Sequence, residues 1–245
     1  MNLTVVIPTI GRSSLEHAVT SALALDETKQ VLIVTDTTVK LKPTFKDRVK
    51  IICIDQADAC SKRNAGLLAT KTELVLFLDD DDTLCMSNNL SAFQYYIDNP
   101  CCIGLVFDAY SINKSGKRLI KKKPGTIGQS DLIFRNVVGT TSSVVLKTRY
   151  LQDNKIQFDS RNSCRQDFDL WIRILNEKTK YLFSTSETGL LYNDTPQSGR
   201  ISKQKLLPKL KSLFLQYLRH VRLNRLLVFT LVNHSRYLFS SIFRQ

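Results

Sequence analysis

The chain has 245 residues, of which 43% are hydrophobic and 9% aromatic, and this composition excludes a protein that is disordered throughout. No stretch reaches the roughly 18 to 20 apolar residues that span a bilayer, and the amino terminus lacks the order of a signal peptide, so we expect a cytoplasmic protein. The formal net charge of +13 indicates an anionic partner.

The basic charge is concentrated near the carboxyl terminus. Residues 195–245 hold ten Lys or Arg and no Asp or Glu, whereas the rest of the chain is nearly balanced. Because the body is nearly neutral and contains no recognised nucleic-acid-binding module, we do not expect nucleic acid as a partner. The six cysteines are scattered without CxxC spacing, which argues against a zinc site or a disulfide framework.

The first half of the chain alternates strand-like and helix-like segments. Apolar runs predict strands at residues 3–8, 30–36, 49–55, 73–79 and 102–110. We predict helices over residues 13–25, opened by a capping box of Ser13 and Glu16, over residues 58–68, capped by Asp58, and over residues 88–99, capped by Ser87. This alternation predicts an α/β fold with a mostly parallel, Rossmann-like sheet flanked by helices.

The second half of the chain is less regular. Its turn residues predict a turn at 113–117 and an exposed loop at 118–128. Its apolar pattern predicts strands at 142–147 and 180–185, and a helix at 165–178 with Leu170, Trp171 and Ile174 facing inward. No internal repeat or low-complexity linker separates the halves, so we expect both to share one sheet.

Three polar clusters follow predicted strands of the first half. Pro8–Arg12 follows the first strand, Asp36 the second and Asp79–Asp82 the fourth. In parallel sheets, ligands bind outside the carboxyl ends of the strands. The sequence therefore predicts a single ligand-binding cleft to which all three clusters contribute.

The acidic run Asp79–Asp82 requires compensation, because adjacent carboxylates repel one another unless a cation or hydrogen-bond donors are present. Asp79 and Asp81 flank one residue and can bind one hard cation, Mn²⁺ or Mg²⁺, whose other ligands are water and phosphate oxygens. Such a site suits a metal-bridged diphosphate. The alternative is a solvated acidic turn that caps the next helix.

Four segments together resemble the inverting family-two glycosyltransferases of the GT-A fold, of the bacterial surface-polysaccharide type. They are VVIPTIGR, KRNAGLLATKTELVLFLDDDD, IQFDSRNSCRQDFDLWIRIL and LLYNDTPQSGRIS, and the resemblance covers about residues 3–202. It implies transfer of a sugar from a nucleotide diphosphate sugar, with a UDP-sugar expected, to a glycan or lipid-linked glycan acceptor. It also implies a domain over 1–202, with a nucleotide-sugar half at 1–110 and an acceptor half at 111–202.

The resemblance assigns donor-site residues one by one. In that family the segment matching Asp79–Asp81 is the DxD motif, so Asp79 and Asp81 are implied to bind the metal, and Asp79 also the ribose. The acidic residue matching Asp36 usually meets the base, although the family commonly has VVDDGS where this chain has IVTDTT. The remaining residues implied at the nucleotide-sugar site are Pro8, Thr9, Arg63, Asn64, Arg200 and Ser202.

The resemblance implies Asp167 as the catalytic base. It lies in Gln166-Asp167-Phe168-Asp169-Leu170-Trp171, where Gln166 replaces the usual Glu. An inverting displacement needs a base on the face opposite the leaving nucleotide, and replacing Glu removes a charge that could raise the pKa of Asp167. The alternative role for Asp167 is a helix N-cap, and the two roles can coexist.

Residues 203–245 predict a basic amphipathic helical tail, because apolar residues recur there at helical spacing: Leu206, Leu210, Leu213, Phe214, Tyr217 and Val221. Two interpretations remain. The helix packs on the body, or it makes a peripheral contact with the inner face of the cell membrane, close to a lipid-linked acceptor. The competing function is a catalytically inactive basic protein with a GT-A-like fold that binds membrane or nucleic acid.

Overall fold

A computed structural model of the chain describes residues 1–45, 47–85, 90–132, 135–162, 164–193 and 216. Its first half alternates strands and helices, as the sequence predicts. The strands are β1 (Leu3–Thr9), β2 (Thr28–Thr35), β3 (Val49–Cys53) and β4 (Leu74–Phe77), and the helices are α1 (Leu15–Leu23) and α2 (Ala59–Ala69).

The second half contains longer strands and shorter helices. In chain order the elements are β5 (Thr83–Leu84), α3 (Gln94–Asp98), β6 (Cys102–Asn113), β7 (Gly116–Ile120), β8 (Gly125–Ile127), β9 (Val144–Lys147), α4 (Thr148–Asp153), α5 (Gln166–Ile174) and β10 (Tyr181–Asn193). Helix α5 buries Leu170, Trp171 and Ile174, as predicted.

The described residues form one ten-stranded sheet that runs through both halves in the order β3-β2-β1-β4-β9-β6-β10-β5, with β7 beside β6 and β8 beside β10. Strands β3, β2, β1 and β4 are parallel. Strand β9 runs antiparallel to both β4 and β6, and β6 is parallel to β10. This confirms the α/β fold class, and it adds a mixed region beyond β4.

Apolar side chains cover both faces of the sheet. Helix α1 packs on one face, and α2 and α5 pack on the other. Contact between α2 and β1 is unusually close, because a Cβ placed on Gly66 would lie 2.2 Å from Cγ1 of Val6. Helix α2 therefore lies directly on β1, and Lys62 in its first turn bonds the carbonyl oxygen of Thr9 at the carboxyl end of β1, where the predicted cleft lies.

Two local predictions are changed by the structure, and a third cannot be compared with it. The N-cap of α1 is Ser14, not Ser13, and its side chain makes no capping hydrogen bond. The exposed loop predicted at 118–128 is confirmed only at residues 121–124, because the residues before and after them form β7, which pairs with β6, and β8, which pairs with β10. Strand β7 is exposed and rich in basic residues, as edge strands often are, so its sequence resembles a loop. Ser87 lies outside the described residues.

Only Gln216 is described in the tail. Its side chain is buried and donates a hydrogen bond of 2.8 Å from Nε2 to the carbonyl oxygen of Cys164, just before α5. The other residues predicted as an amphipathic helix lie outside the described part of the chain. Within the part that is described, no helix combines the length and the hydropathy needed to cross a membrane.

Candidate active site

The acidic run alternates between buried and accessible carboxylates. Asp80 and Asp82 are fully buried, with exposures of 0% and 1%, whereas Asp79 and Asp81 are partly exposed. The alternation arises because the chain turns immediately after β4, at Asp80 and Asp81. The run therefore consists of two buried carboxyl groups, Asp80 and Asp82, which bond other parts of the protein, and two accessible ones, Asp79 and Asp81, which lie at the cleft.

The two buried carboxyl groups are compensated to different extents, because Asp80 is paired with a cation whereas Oδ2 of Asp82 has no hydrogen-bond partner. Asp80 forms an ion pair with Arg12 and accepts a 2.5 Å hydrogen bond from Oγ1 of Thr9, which ties the loop after β1 to the turn after β4. Asp82 accepts a 3.2 Å hydrogen bond from the backbone N–H of Asn193. Burial, together with the charges of Asp79 and Asp81, raises the pKa of Asp82 well above its ordinary value.

The end of β2 is joined to the end of β1 by a lysine from α2. Nζ of Lys62 lies 2.5 Å from Oδ1 of Asp36 and donates a 2.8 Å hydrogen bond to the carbonyl oxygen of Thr9. This hydrogen bond to Lys62 lowers the pKa of Asp36. All three predicted polar clusters therefore meet at one edge of the sheet.

Arg63 connects the acidic run to the helix that carries the predicted base. Its Nη2 donates a 2.6 Å hydrogen bond to Oδ1 of Asp79, and its Nη1 donates a 3.1 Å hydrogen bond to Oε1 of Gln166 at the start of α5. The guanidinium also lies 5.3 Å from the centre of the Phe158 ring. Because Gln166 directly precedes Asp167 in the chain, Arg63 fixes the position of Asp79 relative to the start of the helix that carries Asp167.

Asp167 lies in the first turn of α5 and is partly buried. Its Oδ2 accepts a 3.2 Å hydrogen bond from Nδ2 of Asn136, whose own side chain closes a turn with Gly139. The indole N–H of Trp171 donates to the carbonyl oxygen of Gly139 and anchors that turn on α5.

Burial raises the pKa of Asp167, although a backbone hydrogen bond at Phe168 and the charges of Arg165 and Arg63 oppose the shift. A raised pKa favours proton uptake, which is the property of a general base. Asp169 is different, because it is fully buried and forms an ion pair of 2.9 Å with Arg173 on the same helix.

Asp79 and Asp81 offer hard oxygen ligands to a divalent cation. Among the residues described, no group of three or more His, Cys, Asp or Glu side chains is arranged to hold a metal ion. Two carboxylates nevertheless fit Mn²⁺ or Mg²⁺ when water and phosphate supply the other ligands. The donor chemistry is therefore compatible with a cation that is completed by substrate.

The other predicted site residues have different surroundings. Pro8 and Thr9 end β1 and are buried, and the hydroxyl of Thr9 is already bonded to Asp80 and to the N–H of Gly11. Asn64 pairs its amide with both backbone groups of Phe158, at 2.8 Å each, which is a structural bond between α2 and the segment before α5. Arg200 and Ser202 lie outside the described residues.

Sequence reasoning did not single out three polar residues of the site. Asp80 stands at the variable position of the predicted motif, yet it forms the interaction with Arg12. Lys62 directly precedes Arg63 and Asn64, at a position where the family pattern ARN has alanine, and this departure was a usable signal. Asn136 sits in an irregular segment without any motif, so only the tertiary structure brings it to Asp167.

Comparison with known sequences identifies the class. The profile of glycosyl transferase family 2 matches residues 4–155, which include every strand-end cluster described above. The chain therefore belongs to the family-two glycosyltransferases.

Two curated relatives show similarity over the same region. One is the poly(ribitol-phosphate) beta-N-acetylglucosaminyltransferase TarP of Staphylococcus aureus, 26% identical over 162 residues, which cover 64% of this chain and 49% of TarP. The other is the uncharacterized glycosyltransferase MJ1057 of Methanocaldococcus jannaschii, 27% identical over 60% of this chain and 51% of its own. The chain spans about half the length of these relatives.

Solved structures share the fold. S. aureus TarS residues 1–349 in complex with UDP-GlcNAc superpose with a TM-score of 0.66 at 18% identity, over 94% of this chain and 69% of that one. The mannosyltransferase PcManGT of Pyrobaculum calidifontis, in complex with GDP-Man and Mn²⁺, gives a TM-score of 0.61 at 11% identity, over 95% of this chain and 69% of that one. At these identities the likeness establishes the GT-A fold alone.

Proposed function

We propose that the protein transfers a sugar from a UDP-sugar to a glycan acceptor in surface-polysaccharide synthesis, with inversion at the anomeric carbon and Asp167 as the base. The acceptor in this proposal is a lipid-linked glycan. The observation that carries the proposal is the bridge made by Arg63, which bonds Asp79 on one side and the residue before Asp167 on the other.

This bridge supports a single reaction centre. Displacement at the anomeric carbon needs the leaving diphosphate and the base on opposite faces of the sugar. Asp79 and Asp81 provide the diphosphate end, and Asp167 provides the base end, with Arg63 fixing the two ends relative to each other. The sugar would lie between them.

In the proposed reaction, Asp167 accepts the proton of the acceptor hydroxyl as that oxygen forms a bond to the anomeric carbon. The bond from this carbon to the diphosphate oxygen breaks at the same time, and the nucleoside diphosphate leaves with the electron pair. Asn136 holds Asp167 in position through its 3.2 Å hydrogen bond. A divalent cation at Asp79 and Asp81 would neutralise charge on the leaving diphosphate.

The direct test is release of UDP from nucleotide sugars. We expect the purified protein to release UDP from a UDP-sugar in the presence of MnCl₂, to release more when a lipid-linked glycan is added, and to release none with EDTA. UDP should also raise the melting temperature in a metal-dependent manner, because a ligand that binds only the folded state stabilises it. Absence of both effects across a panel of nucleotide sugars would contradict the proposal.

We further propose that the basic tail brings the enzyme to the inner face of the cell membrane. The ten basic residues after position 194 support an anionic surface as partner. The buried bond from Gln216 to Cys164 supports attachment of the tail to the body close to α5, on the acceptor side of the site. Sedimentation with anionic vesicles should therefore occur at low salt and decrease at high salt, and no binding at low salt would remove this proposal.

A further inference from the structure

Lys62 is a buried cation beneath the cleft that the reaction scheme above does not use. It lies in the first turn of α2 and is only 1% exposed. Its Nζ bonds Oδ1 of Asp36 and the carbonyl oxygen of Thr9, so it connects the ends of β2 and β1. A buried lysine is unfavourable unless acceptors compensate it, which fixes the ammonium in this place.

Asp36 keeps access to the cleft despite this partner. Its side chain is 21% exposed, and Lys62 occupies one of its two oxygens. A carboxylate only accepts hydrogen bonds, and it repels phosphate. The part of a nucleotide sugar that suits Asp36 is therefore the nucleoside, whose N–H groups can donate, and not the diphosphate.

The number of open carboxylate oxygens discriminates between bases. Guanine presents two neighbouring N–H donors, which pair best with both oxygens of one carboxylate. Uracil presents one imide N–H between two carbonyl oxygens. Because the ammonium of Lys62 lies 2.5 Å from Oδ1, a second N–H directed at that oxygen would face a positive charge, so Asp36 presents Oδ2 to one donor. The imide N–H of uracil then has its partner, whereas the second N–H of guanine does not.

We propose that Lys62 sets the base preference of the donor site, by holding Oδ1 of Asp36 so that the carboxylate accepts a single N–H from a uracil base and discriminates against guanine. The inference rests on the proposed function, since it assumes that a nucleoside diphosphate occupies this cleft. Lys62 is a positioning residue, because its effect on the ligand passes through Asp36.

The test is a competition experiment with UDP and GDP against a fluorescent UDP analogue, in the presence of MnCl₂. The wild-type protein should bind UDP more tightly than GDP. The variant Lys62→Met removes the ammonium and replaces it with an unbranched side chain of nearly the same length. Both oxygens of Asp36 can then accept hydrogen bonds from the ligand. We expect the ratio of UDP affinity to GDP affinity to fall by roughly tenfold, the effect of one hydrogen bond to a charged group.

Asp36→Asn gives a second variant that keeps the polar volume of the site. Lys62 would still bind the amide oxygen, so the amide NH₂ would face the ligand and oppose the imide N–H of uracil. The affinity for UDP should therefore fall. In the double variant Lys62→Met and Asp36→Asn, the amide can turn to offer one acceptor and one donor, which suits the N–H and C=O edge that uracil and guanine share, so UDP binding should recover without the wild-type preference for UDP.

Lys147→Met is the matched control. Like Lys62, Lys147 donates a hydrogen bond to a backbone carbonyl oxygen, that of Asn99. However, Lys147 is paired in the sheet with Leu74 at the amino end of β4, so it lies at the edge opposite the cleft. The ratio of UDP affinity to GDP affinity in Lys147→Met should equal that of the wild-type protein. An unchanged ratio in folded Lys62→Met, with UDP still bound, would overturn the inference alone. Failure of the wild-type protein to bind either nucleotide would overturn the proposed function together with it.

Discussion

Asp167→Asn separates chemistry from binding. The substitution removes the proton acceptor while the amide oxygen can still accept the hydrogen bond from Asn136, which is 3.2 Å long in the structure. Loss of a general base typically lowers kcat by about 10² to 10⁴, or about 2.7 to 5.5 kcal/mol of transition-state stabilisation. We expect a loss in this range with little change in the affinity for UDP, because the side chain of Asp167 is hydrogen-bonded to Asn136 and is not assigned to the binding of the nucleotide.

The stability of the same variant provides an independent check on its environment. Burial raises the pKa of Asp167 in the folded state, so this carboxyl stabilises the fold below its unfolded pKa of about 3.9, and that contribution is lost as the pH rises through the folded pKa. At neutral pH, ionised Asp167 therefore opposes folding, and the neutral amide does not. Asp167→Asn should have an equal or higher melting temperature at pH 8, and the difference should shrink towards about pH 4.

The raised pKa also places the acidic limb of the kcat profile above the range of an ordinary carboxylate, because the base must be ionised to act. The assay is steady-state kinetics with a lipid-linked acceptor between pH 4.5 and 9, as a buffer series of about ten points. Near-normal turnover by folded Asp167→Asn would refute the assignment of the base.

Three further substitutions test other parts of the site and fold. Asp81→Asn should weaken Mn²⁺-dependent UDP binding without unfolding the protein, and unchanged calorimetric affinity would exclude Asp81 as a ligand. Asn136→Ala should lower kcat and move the acidic limb to higher pH, because a donor to Asp167 is lost; an unmoved limb would assign Asn136 a structural role only. Gly66→Ala should cost about 1 to 3 kcal/mol of unfolding free energy, because its Cβ would overlap Val6, whereas Gly128→Ala, with no atom within 4 Å, should be nearly neutral by urea denaturation.

The strand-end clusters could be predicted because their signals are local. An apolar run of strand length followed by a polar group marks the carboxyl end of a parallel strand, so Pro8–Arg12, Asp36 and Asp79–Asp82 were expected at one edge. The structure joins them through Lys62, Thr9 and Asp80. Asp58 as the cap of α2 was equally local, and its side chain accepts from the N–H of Ser61 at 2.9 Å.

Other features depend on distant parts of the chain and left no local signal. Strand β7 is exposed and basic, and it is a strand only because β6 supplies its hydrogen bonds. The reversal of direction at β9 is a property of the sheet order, which short-range patterns do not contain. The division of Asp79–Asp82 into buried and accessible carboxylates likewise depends on Arg12, Thr9 and Asn193, which are far away in sequence.

The central claim is that the edge of the sheet between Asp36, Asp81 and Asp167 binds a nucleotide sugar. A crystal structure with UDP and Mn²⁺ tests it most directly. The account predicts the uracil ring beside Asp36 and the cation between the diphosphate and Asp79 or Asp81, with Asp167 facing the space beyond the second phosphate. A nucleotide bound elsewhere on the protein, or bound here with its base turned away from Asp36, would contradict the account.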